Sequence, residues 1–288
     1  MTLVCGATGY TGKYVVSALL RSGIGVRCLV RNPAKRAALA GLDVEVVIGD
    51  LEQSGDVEAA LKDVETFVNL AHIRFASSLV PLLEGSDIRR SVFFSSTWGL
   101  SRFLIPEVRA VLDGEKALAS SSLDSVILRP SMIYGPGDDR NISRLRGFVS
   151  RSWVMPIFGS GNQLVQPVYV TDVADAVVAC LKREDIAGRT YEIAGGHPIT
   201  YSSMIDILCG LTGKTILKVY VPFFLALPLL HLAAAIVPSL KVRVDQIRRM
   251  KEDRAFDITA AVEDLGYQPM AFDRGVALAI DSGKERAT

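Results

Sequence analysis

The chain has 288 residues, 49% of them hydrophobic, and its 32 basic side chains nearly balance its 31 acidic ones. This balance argues against a nucleic-acid binder, which needs a basic excess. The cysteines are isolated and no Cys-x-x-Cys or Cys/His cluster occurs, so no metal is predicted, and a reducing, cytoplasmic compartment fits best.

Short apolar runs alternate with helix-like stretches through the first 130 residues. The first strand starts so early that no signal peptide is expected. The predicted strands are TLVCG, GVRCLVR, DVEVVIGD, ETFVNLA, SVFFSS and DSVILRP. Continuous apolar strands separated by helices are typical of a parallel sheet covered on both faces. The pattern predicts an α/β fold with a doubly wound parallel Rossmann sheet and ligands at the carboxyl ends of its strands.

The regular alternation of short apolar runs and helix-like stretches changes after residue 130. We predict an NAD(P)-binding domain over 1–130 and a smaller, mainly helical lobe over 131–288 that is interleaved with the sheet and covers its ligand edge. Two further strand–helix units occur in this lobe. The first helix is expected to be capped by Thr171 or Asp172 and the second by Thr200.

The stretch LVCGATGYTGKYV, residues 3–15, has three glycines at three-residue spacing directly after the first strand. A tight turn, the close approach of a pyrophosphate and the packing of helix on strand all favour residues without Cβ. The amides at the helix start would face the phosphates. A tight turn without a ligand is the alternative. We predict a dinucleotide site formed by Gly6, Thr8, Gly9, Tyr10, Thr11 and Gly12.

The end of the second strand indicates which dinucleotide binds. An NAD site usually carries an acid there, whereas this chain has Arg31, followed by Lys35 and Arg36. A guanidinium suits a 2′-phosphate and cannot accept a bond from a ribose hydroxyl. We therefore favour NADP, with NAD as the alternative. A solvated arginine at a strand end is the competing explanation.

The ends of the later strands supply the other predicted cofactor contacts. Asp50 and Leu51 would meet the adenine, small residues at 69–72 would let the backbone approach the ribose, and hydroxyls after the fifth strand would lie near the nicotinamide. Loop capping is the alternative for Asn69 and His72. The predicted contacts are Asp50, Leu51, Asn69, Leu70, Ala71, His72, Ser95, Pro130 and Met132.

Taken in order, GATGYTG, GDL, NLA, FFSST, ILRPSMIYGPGD and QPVYVTDVADAV resemble the extended and atypical short-chain dehydrogenase/reductases, most of all the NAD-dependent epimerase/dehydratase group. The tail is similar to atypical, NmrA-like members related to the NADPH-binding accessory subunit of respiratory complex I. The resemblance implies NAD(P) on the N-terminal domain and a small-molecule substrate under the C-terminal lobe. It also implies a Ser or Thr after the fifth strand and a Tyr-x-x-x-Lys pair on the next helix.

Thr97 matches the Ser/Thr position, but the pair is missing. Leu112 stands four residues before Lys116, and the other register puts Glu107 and Val111 at the two positions. Leucine can neither donate nor accept a proton. Tyr134, in MIYGPGD, is a substitute catalytic candidate beside Thr97, with a packing role as the alternative.

Three hypotheses on function follow. The first is an NAD(P)-dependent oxidoreductase or epimerase with a non-standard acid/base group. The second is a non-catalytic NADP(H)-binding sensor or assembly protein. The third is a strict nucleotide-sugar epimerase, which would need convergent basic residues. The candidates are Arg140, Arg144, Arg146 and Arg151, although such arginines are often only a solvated helix face.

The segment 219–237, VYVPFFLALPLLHLAAAIV, has no formal charge apart from a histidine, and its length is close to that of a membrane span. Two prolines interrupt it, so a buried or interface helix, which could contact a protein partner, is favoured over contact with a membrane surface, and a true span is least favoured. The oligomeric state is not predicted.

Overall fold

The structure, a computed structural model, describes residues 1–225, 228 and 251–285. The strands, in chain order, are β1 (Thr2–Cys5), β2 (Val26–Val30), β3 (Glu45–Ile48), β4 (Thr66–Asn69), β5 (Arg90–Phe94), β6 (Ser125–Pro130), β7 (Ile133–Tyr134), β8 (Val154–Phe158), β9 (Leu164–Val165), β10 (Val168–Tyr169), β11 (Thr190–Ile193), β12 (Ile199–Thr200) and β13 (Leu217–Val221). The helices are α1 (Tyr10–Arg21), α2 (Ser54–Ala60), α3 (Ala76–Glu84), α4 (Pro106–Ala119), α5 (Ile142–Arg151), α6 (Val170–Lys182), α7 (Tyr201–Thr212), α8 (Thr259–Leu265) and α9 (Phe272–Glu285).

Seven strands form one parallel sheet in the order β11-β6-β5-β4-β1-β2-β3. The chain moves outward from β1 to β3, then crosses back to β4 and continues on the other side. This reversal separates the loops after β1 and β4 and makes a crevice at the carboxyl edge, where ligands bind in such sheets. The α/β Rossmann architecture predicted from the strand–helix alternation is confirmed.

Apolar layers cover both faces of the sheet. Val4 on one face belongs to a buried cluster with residues of α1 and α6, while Leu3 on the other belongs to a cluster with residues of α2, α3 and α4. Full burial on both faces explains the uninterrupted apolar runs of β1 and β2. A third cluster, around Tyr134 and Phe272, lies in the C-terminal part of the chain.

The structure corrects several local expectations. The stretch Pro33–Leu39, predicted as a helix, is a 3₁₀ helix. The helix α6 begins at Val170 without a side-chain cap, so the predicted cap by Thr171 or Asp172 is wrong. Asp172 instead accepts a hydrogen bond from the Met270 backbone N–H (2.8 Å). The Thr200 cap of α7 is confirmed by a hydrogen bond from the Ser203 N–H (3.0 Å).

Of the apolar segment 219–237, the structure describes residues 219–225 and 228. There β13 occupies positions that were expected to be helical. Residues 226, 227 and 229–250 lie outside the description, so the predicted buried helix is not tested. Among the described residues, no helix combines the length and the apolar run that crossing a bilayer requires.

Candidate cofactor and substrate site

The turn between β1 and α1 has the geometry that a dinucleotide requires. Gly6 has a φ of +85°, and the Gly9 N–H donates to its carbonyl oxygen (3.0 Å). A Cβ on Gly12 would lie 2.3 Å from that same oxygen, so strand and helix can approach this closely only without a side chain there. No side chain caps the start of α1, which leaves its first amides facing outward for an anion. The residues of this turn therefore fit a pyrophosphate.

A cavity of about 420 Å³ extends from this turn across the ends of β2 and β3. Its walls include the predicted contacts Gly6, Thr8, Arg31, Lys35, Asp50, Leu51 and Ala71. They also include Arg74, which the sequence analysis missed because it lies outside the family motifs. Arg74 pairs only loosely with Glu52 (3.7 Å), and both side chains are more than half exposed. Three cations and one carboxylate thus line the cavity, a balance that suits a phosphate group.

Asn69 and His72 make the loop-capping contacts that are the alternative for these two residues. Asn69 is fully buried, and its Oδ1 accepts from the Ala71 N–H (3.1 Å). His72 caps a 3₁₀ helix by accepting from the Arg74 N–H at Nδ1 (3.1 Å). Partial burial and the Arg74 charge lower the pKa of His72. Leu70 packs against the apolar cluster that contains α1.

A larger cleft of about 1040 Å³ lies on the other side of the glycine turn. Its walls contain Tyr10, Thr11, Thr97, Pro130 and Met132, all of them predicted site residues. The Thr97 hydroxyl is near the Pro130 carbonyl oxygen (3.5 Å). Because Tyr10 and Thr11 also open α1, this cleft is continuous with the predicted cofactor turn.

One wall of the cleft was not predicted. The segment 251–256 crosses it and is fastened at both ends by hydrogen bonds. Glu252 accepts from the Ser101 hydroxyl (2.9 Å) and the Arg102 N–H (2.7 Å), and the Phe256 N–H donates to Gln166 (2.7 Å). These contacts join positions about 90 to 150 residues apart in the chain, so local sequence patterns could not reveal them.

Ser95, predicted to lie near the nicotinamide, takes part in a partly buried charged network. Its hydroxyl donates to Glu115 Oε1 (2.5 Å). Arg129 donates to both oxygens of the same carboxylate (2.8 and 2.6 Å) and also pairs with Glu192 (3.0 Å). These contacts raise the pKa of Arg129, with the hydrogen bonds to Glu115 contributing most. The network joins the end of β5, helix α4 and strands β6 and β11.

Helix α4 would carry the Tyr-x-x-x-Lys pair that the resemblance implies. Leu112 and Lys116 lie on its exposed side, whereas Val111 and Glu115, also four residues apart, are buried. A valine and a salt-bridged glutamate thus face inward at this spacing. Tyr134 is fully buried and its hydroxyl donates to the Phe272 carbonyl oxygen (3.3 Å). Burial raises the pKa of Tyr134, and this side chain would have to leave its position to reach the cleft.

The four arginines proposed for a nucleotide-sugar diphosphate do not line this cleft. Arg140, Arg144 and Arg151 are exposed and Arg146 is half-buried. Among the described residues none of the four forms an ion pair. The alternative, a solvated helix face, describes them better.

The parallel sheet, the glycine turn and the flanking cavities define a dinucleotide-binding protein of the Rossmann type. The chain belongs to the NAD(P)H-binding family, whose model matches residues 6–184. This result, with the relatives below, confirms the resemblance to extended short-chain dehydrogenase/reductases.

Known relatives include both a subunit of a larger assembly and an enzyme. The chain is 28% identical over 248 residues to the mitochondrial NADH dehydrogenase [ubiquinone] 1 alpha subcomplex subunit 9 of Arabidopsis thaliana, a match covering 77% of this chain and 60% of that protein. The chain therefore spans less than two thirds of that relative's length. It is 26% identical over 308 residues to the UDP-glucose 4-epimerase of Vibrio cholerae, covering 93% of this chain and 90% of the epimerase.

Among solved structures, the UDP-glucuronic acid 4-epimerase of Bacillus cereus, in complex with UDP-glucuronic acid and NAD, superposes with a TM-score of 0.78. The match covers 99% of both chains at 20% sequence identity. At this identity the likeness demonstrates a shared fold.

Proposed function

We propose that the protein is an NADP(H)-dependent oxidoreductase or epimerase/dehydratase-type enzyme that acts on a small carbonyl, hydroxyl or sugar-type substrate without the usual Tyr-x-x-x-Lys pair. The observation that carries this proposal is the continuity between the glycine turn and the 1040 Å³ cleft, which share Tyr10 and Thr11. The nicotinamide end of the cofactor would occupy part of this cleft, and a volume of this size leaves room for a small substrate beside it.

Two groups of residues would hold the phosphates of the cofactor. The turn at Gly6, Gly9 and Gly12 would hold the pyrophosphate, while Arg31 and Lys35 would face a 2′-phosphate. The cation-rich lining of the smaller cavity supports NADP over NAD. When bound, the nicotinamide would supply or accept a hydride.

The walls of the larger cleft indicate how a substrate would be held. Thr97 and Ser96 offer hydroxyls, and Trp98 offers an apolar wall. A neutral hydroxyl can donate a hydrogen bond to a substrate oxygen, and we assign that role to Thr97. Residues 251–256 would exclude water from the reacting atoms. We accordingly regard residues 131–288 as the substrate lobe.

A non-catalytic NADP(H)-binding sensor or accessory protein is the second candidate. The observation that favours it is the inward face of α4, where Val111 and Glu115 offer no phenol or ammonium group. The mitochondrial NADH dehydrogenase subunit among the relatives also supports this reading.

The fluorescence of bound NADPH separates the two candidates. We expect the signal to decay when short-chain ketones, aldehydes or keto-sugars are added to the complex. The Thr97→Val variant should bind NADPH normally and turn over more slowly, while Thr97→Ser should retain activity because it keeps the hydroxyl. Stable fluorescence with every carbonyl class, together with tight NADPH binding, would favour the sensor.

A further inference from the structure

The larger cleft has apolar side chains in three separate parts of its lining. They follow β5, follow β6 and lie on the segment 251–256, and they are Trp98, Leu100, Phe103, Met132, Ile133 and Phe256. Leu100 is 47% exposed, and Trp98 and Phe103 are half-buried, so each keeps surface that an occupant can cover. Accessible apolar surface that is gathered in a cleft is typical of a ligand site.

The polar side chains of the same lining are largely engaged in holding its walls together. Gln166 is buried, its Nε2 donates to the Gly195 carbonyl oxygen (2.6 Å), and its Oε1 accepts from the Phe256 N–H (2.7 Å). The Ser131 hydroxyl donates to the Gln166 carbonyl oxygen (2.5 Å). The Ser101 hydroxyl donates to a carboxylate (2.9 Å) and accepts from a backbone N–H (3.2 Å). Few of these groups are therefore left to exchange hydrogen bonds with the hydroxyls of a ligand.

The charges of the lining balance one another. Among the described residues that line the cleft, the cations are Arg102, Lys251 and Arg254, and the carboxylates are Asp139, Glu252 and Asp253. Each carboxylate accepts a hydrogen bond from a backbone N–H, at 2.7 to 2.8 Å. The smaller cavity, by contrast, has three cations and one carboxylate. Without a cationic excess, the larger cleft lacks the electrostatic attraction that a diphosphate or carboxylate substrate would use.

We propose that the substrate in this cleft is a neutral ketone, aldehyde or alcohol with an apolar carbon chain or ring, an inference that rests on the proposed function and narrows its substrate class. A sugar has a hydroxyl on nearly every carbon, and burying each one without a partner costs free energy. An alkyl chain has no hydrogen bond to lose and gains from burial against Trp98, Leu100 and Phe103. The hydroxyl of Thr97 would then meet the one polar group of the substrate, its reacting oxygen.

Calorimetry of the full chain, with and without NADP⁺, measures binding separately from turnover, because the oxidised coenzyme has no hydride to give to a ketone. Affinity should rise about threefold with each methylene from 2-butanone to 2-octanone. We expect 2-hexanone to bind more tightly, by roughly tenfold or more, than fructose, which has as many carbons, or 5-oxohexanoate, which carries a carboxylate in place of the terminal methyl group. An affinity that is flat along the series, or greater for fructose or 5-oxohexanoate, would overturn the inference.

A pair of variants tests whether the carbon chain lies in the cleft. Leu100→Asn should reduce the affinity for 2-octanone about fivefold, because it removes apolar surface from the lining. The matched control is Leu104→Asn, since Leu104 is 62% exposed and lies outside the residues that line the cleft. This control should bind 2-octanone like the unmodified chain, and equal losses in both folded variants would contradict the placement.

NADPH oxidation separates this inference from the proposed function. Ketones that bind as described without oxidising NADPH would support the substrate class and contradict the proposed enzyme. Oxidation that is faster with fructose than with 2-hexanone at the same concentration would support the enzyme and overturn the substrate class.

Discussion

The two ends of the sheet's ligand edge are built in different ways. At the end formed by β1, β2 and α1, the site is mainly backbone. Gly6 has a left-handed conformation, Gly6 and Gly12 both pack closely against neighbouring backbone atoms, and the first amides of α1 have no side-chain cap. At the end formed by β5, β6 and α4, side chains form the cleft wall, through Thr97 and the segment 251–256, while the Glu115–Arg129 pair ties α4 to β6. Backbone sites tolerate little change in sequence, whereas side-chain sites can be replaced residue by residue while the fold is kept.

The largest effect is expected at the backbone end. The Gly12→Ala variant should lower the free energy of unfolding by about 3 kcal/mol, because the new methyl group would overlap two backbone carbonyl groups, neither of which can swing aside. Chemical denaturation measures this change. The control is Gly147→Ala on α5, where a Cβ meets nothing within 4 Å. That change should be neutral or slightly stabilising, and equal losses in both variants would contradict our account of the turn.

Gly9→Val should act on binding and leave the fold largely intact. Gly9 has an extended backbone that any residue can adopt (φ −73°, ψ 171°), but its side chain would occupy the place proposed for the pyrophosphate. We expect NADPH affinity to fall by a hundredfold or more, about 2.8 kcal/mol, as measured by fluorescence titration. Unchanged affinity in a folded variant would refute this placement.

At the side-chain end, Glu115→Leu should lower the free energy of unfolding by about 2 kcal/mol, since it leaves Arg129 largely buried with Glu192 as its remaining ionic partner among the residues that the structure describes. The control is Asp185→Ala, which breaks an exposed pair with Arg183 and should leave the stability nearly unchanged. A loss of similar size in both variants would mean that the buried network stabilises the fold no more than an exposed ion pair does.

Arg31→Asp tests coenzyme choice. Replacing a cation beside the proposed 2′-phosphate with a carboxylate should shift the ratio of NADPH to NADH affinity towards NADH by about tenfold, or about 1.4 kcal/mol. Arg36→Asp is the matched control, because Arg36 does not line the cavity. If both variants shift the ratio equally, the change in local charge is responsible, and a direct contact between Arg31 and the 2′-phosphate is contradicted.

The smallest effect concerns His72. Because the folded chain lowers the pKa of His72 below its usual value of 6.5, the unfolded chain binds the proton more readily. His72 therefore makes its full contribution to stability above pH 6.5. That contribution is lost as the pH falls from 6.5 through the lower pKa that His72 has in the folded chain. An NMR titration should place the His72 midpoint below 6.5, and His72→Asn should remove this part of the acid sensitivity. A midpoint above 6.5 would reverse the sign.

The sequence predicted the backbone end well. Periodicity indicated the strands, and the glycines at 6, 9 and 12 identified the turn, because both signals come from residues close together in the chain. The predicted contacts in the smaller cavity also lie where the strand ends bring them together.

The side-chain end was harder to predict for physical reasons. In the sequence, Glu115 has the pattern of an ordinary helix residue. Its burial against Arg129 depends on tertiary contacts. The segment 251–256 reaches the cleft through contacts with residues distant in sequence. Tyr134 follows strand β6 at the ligand edge, which makes it a candidate in the sequence, and its complete burial depends on tertiary packing that the sequence pattern does not show.

Isothermal titration calorimetry with NADPH and with NADH, each at two temperatures, tests the central claim most directly. The account predicts one molecule bound per chain, with NADPH bound more tightly than NADH, and loss of both in the Gly9→Val variant. If the folded chain bound neither coenzyme at either temperature, the assignment of the glycine turn as a dinucleotide site would be wrong.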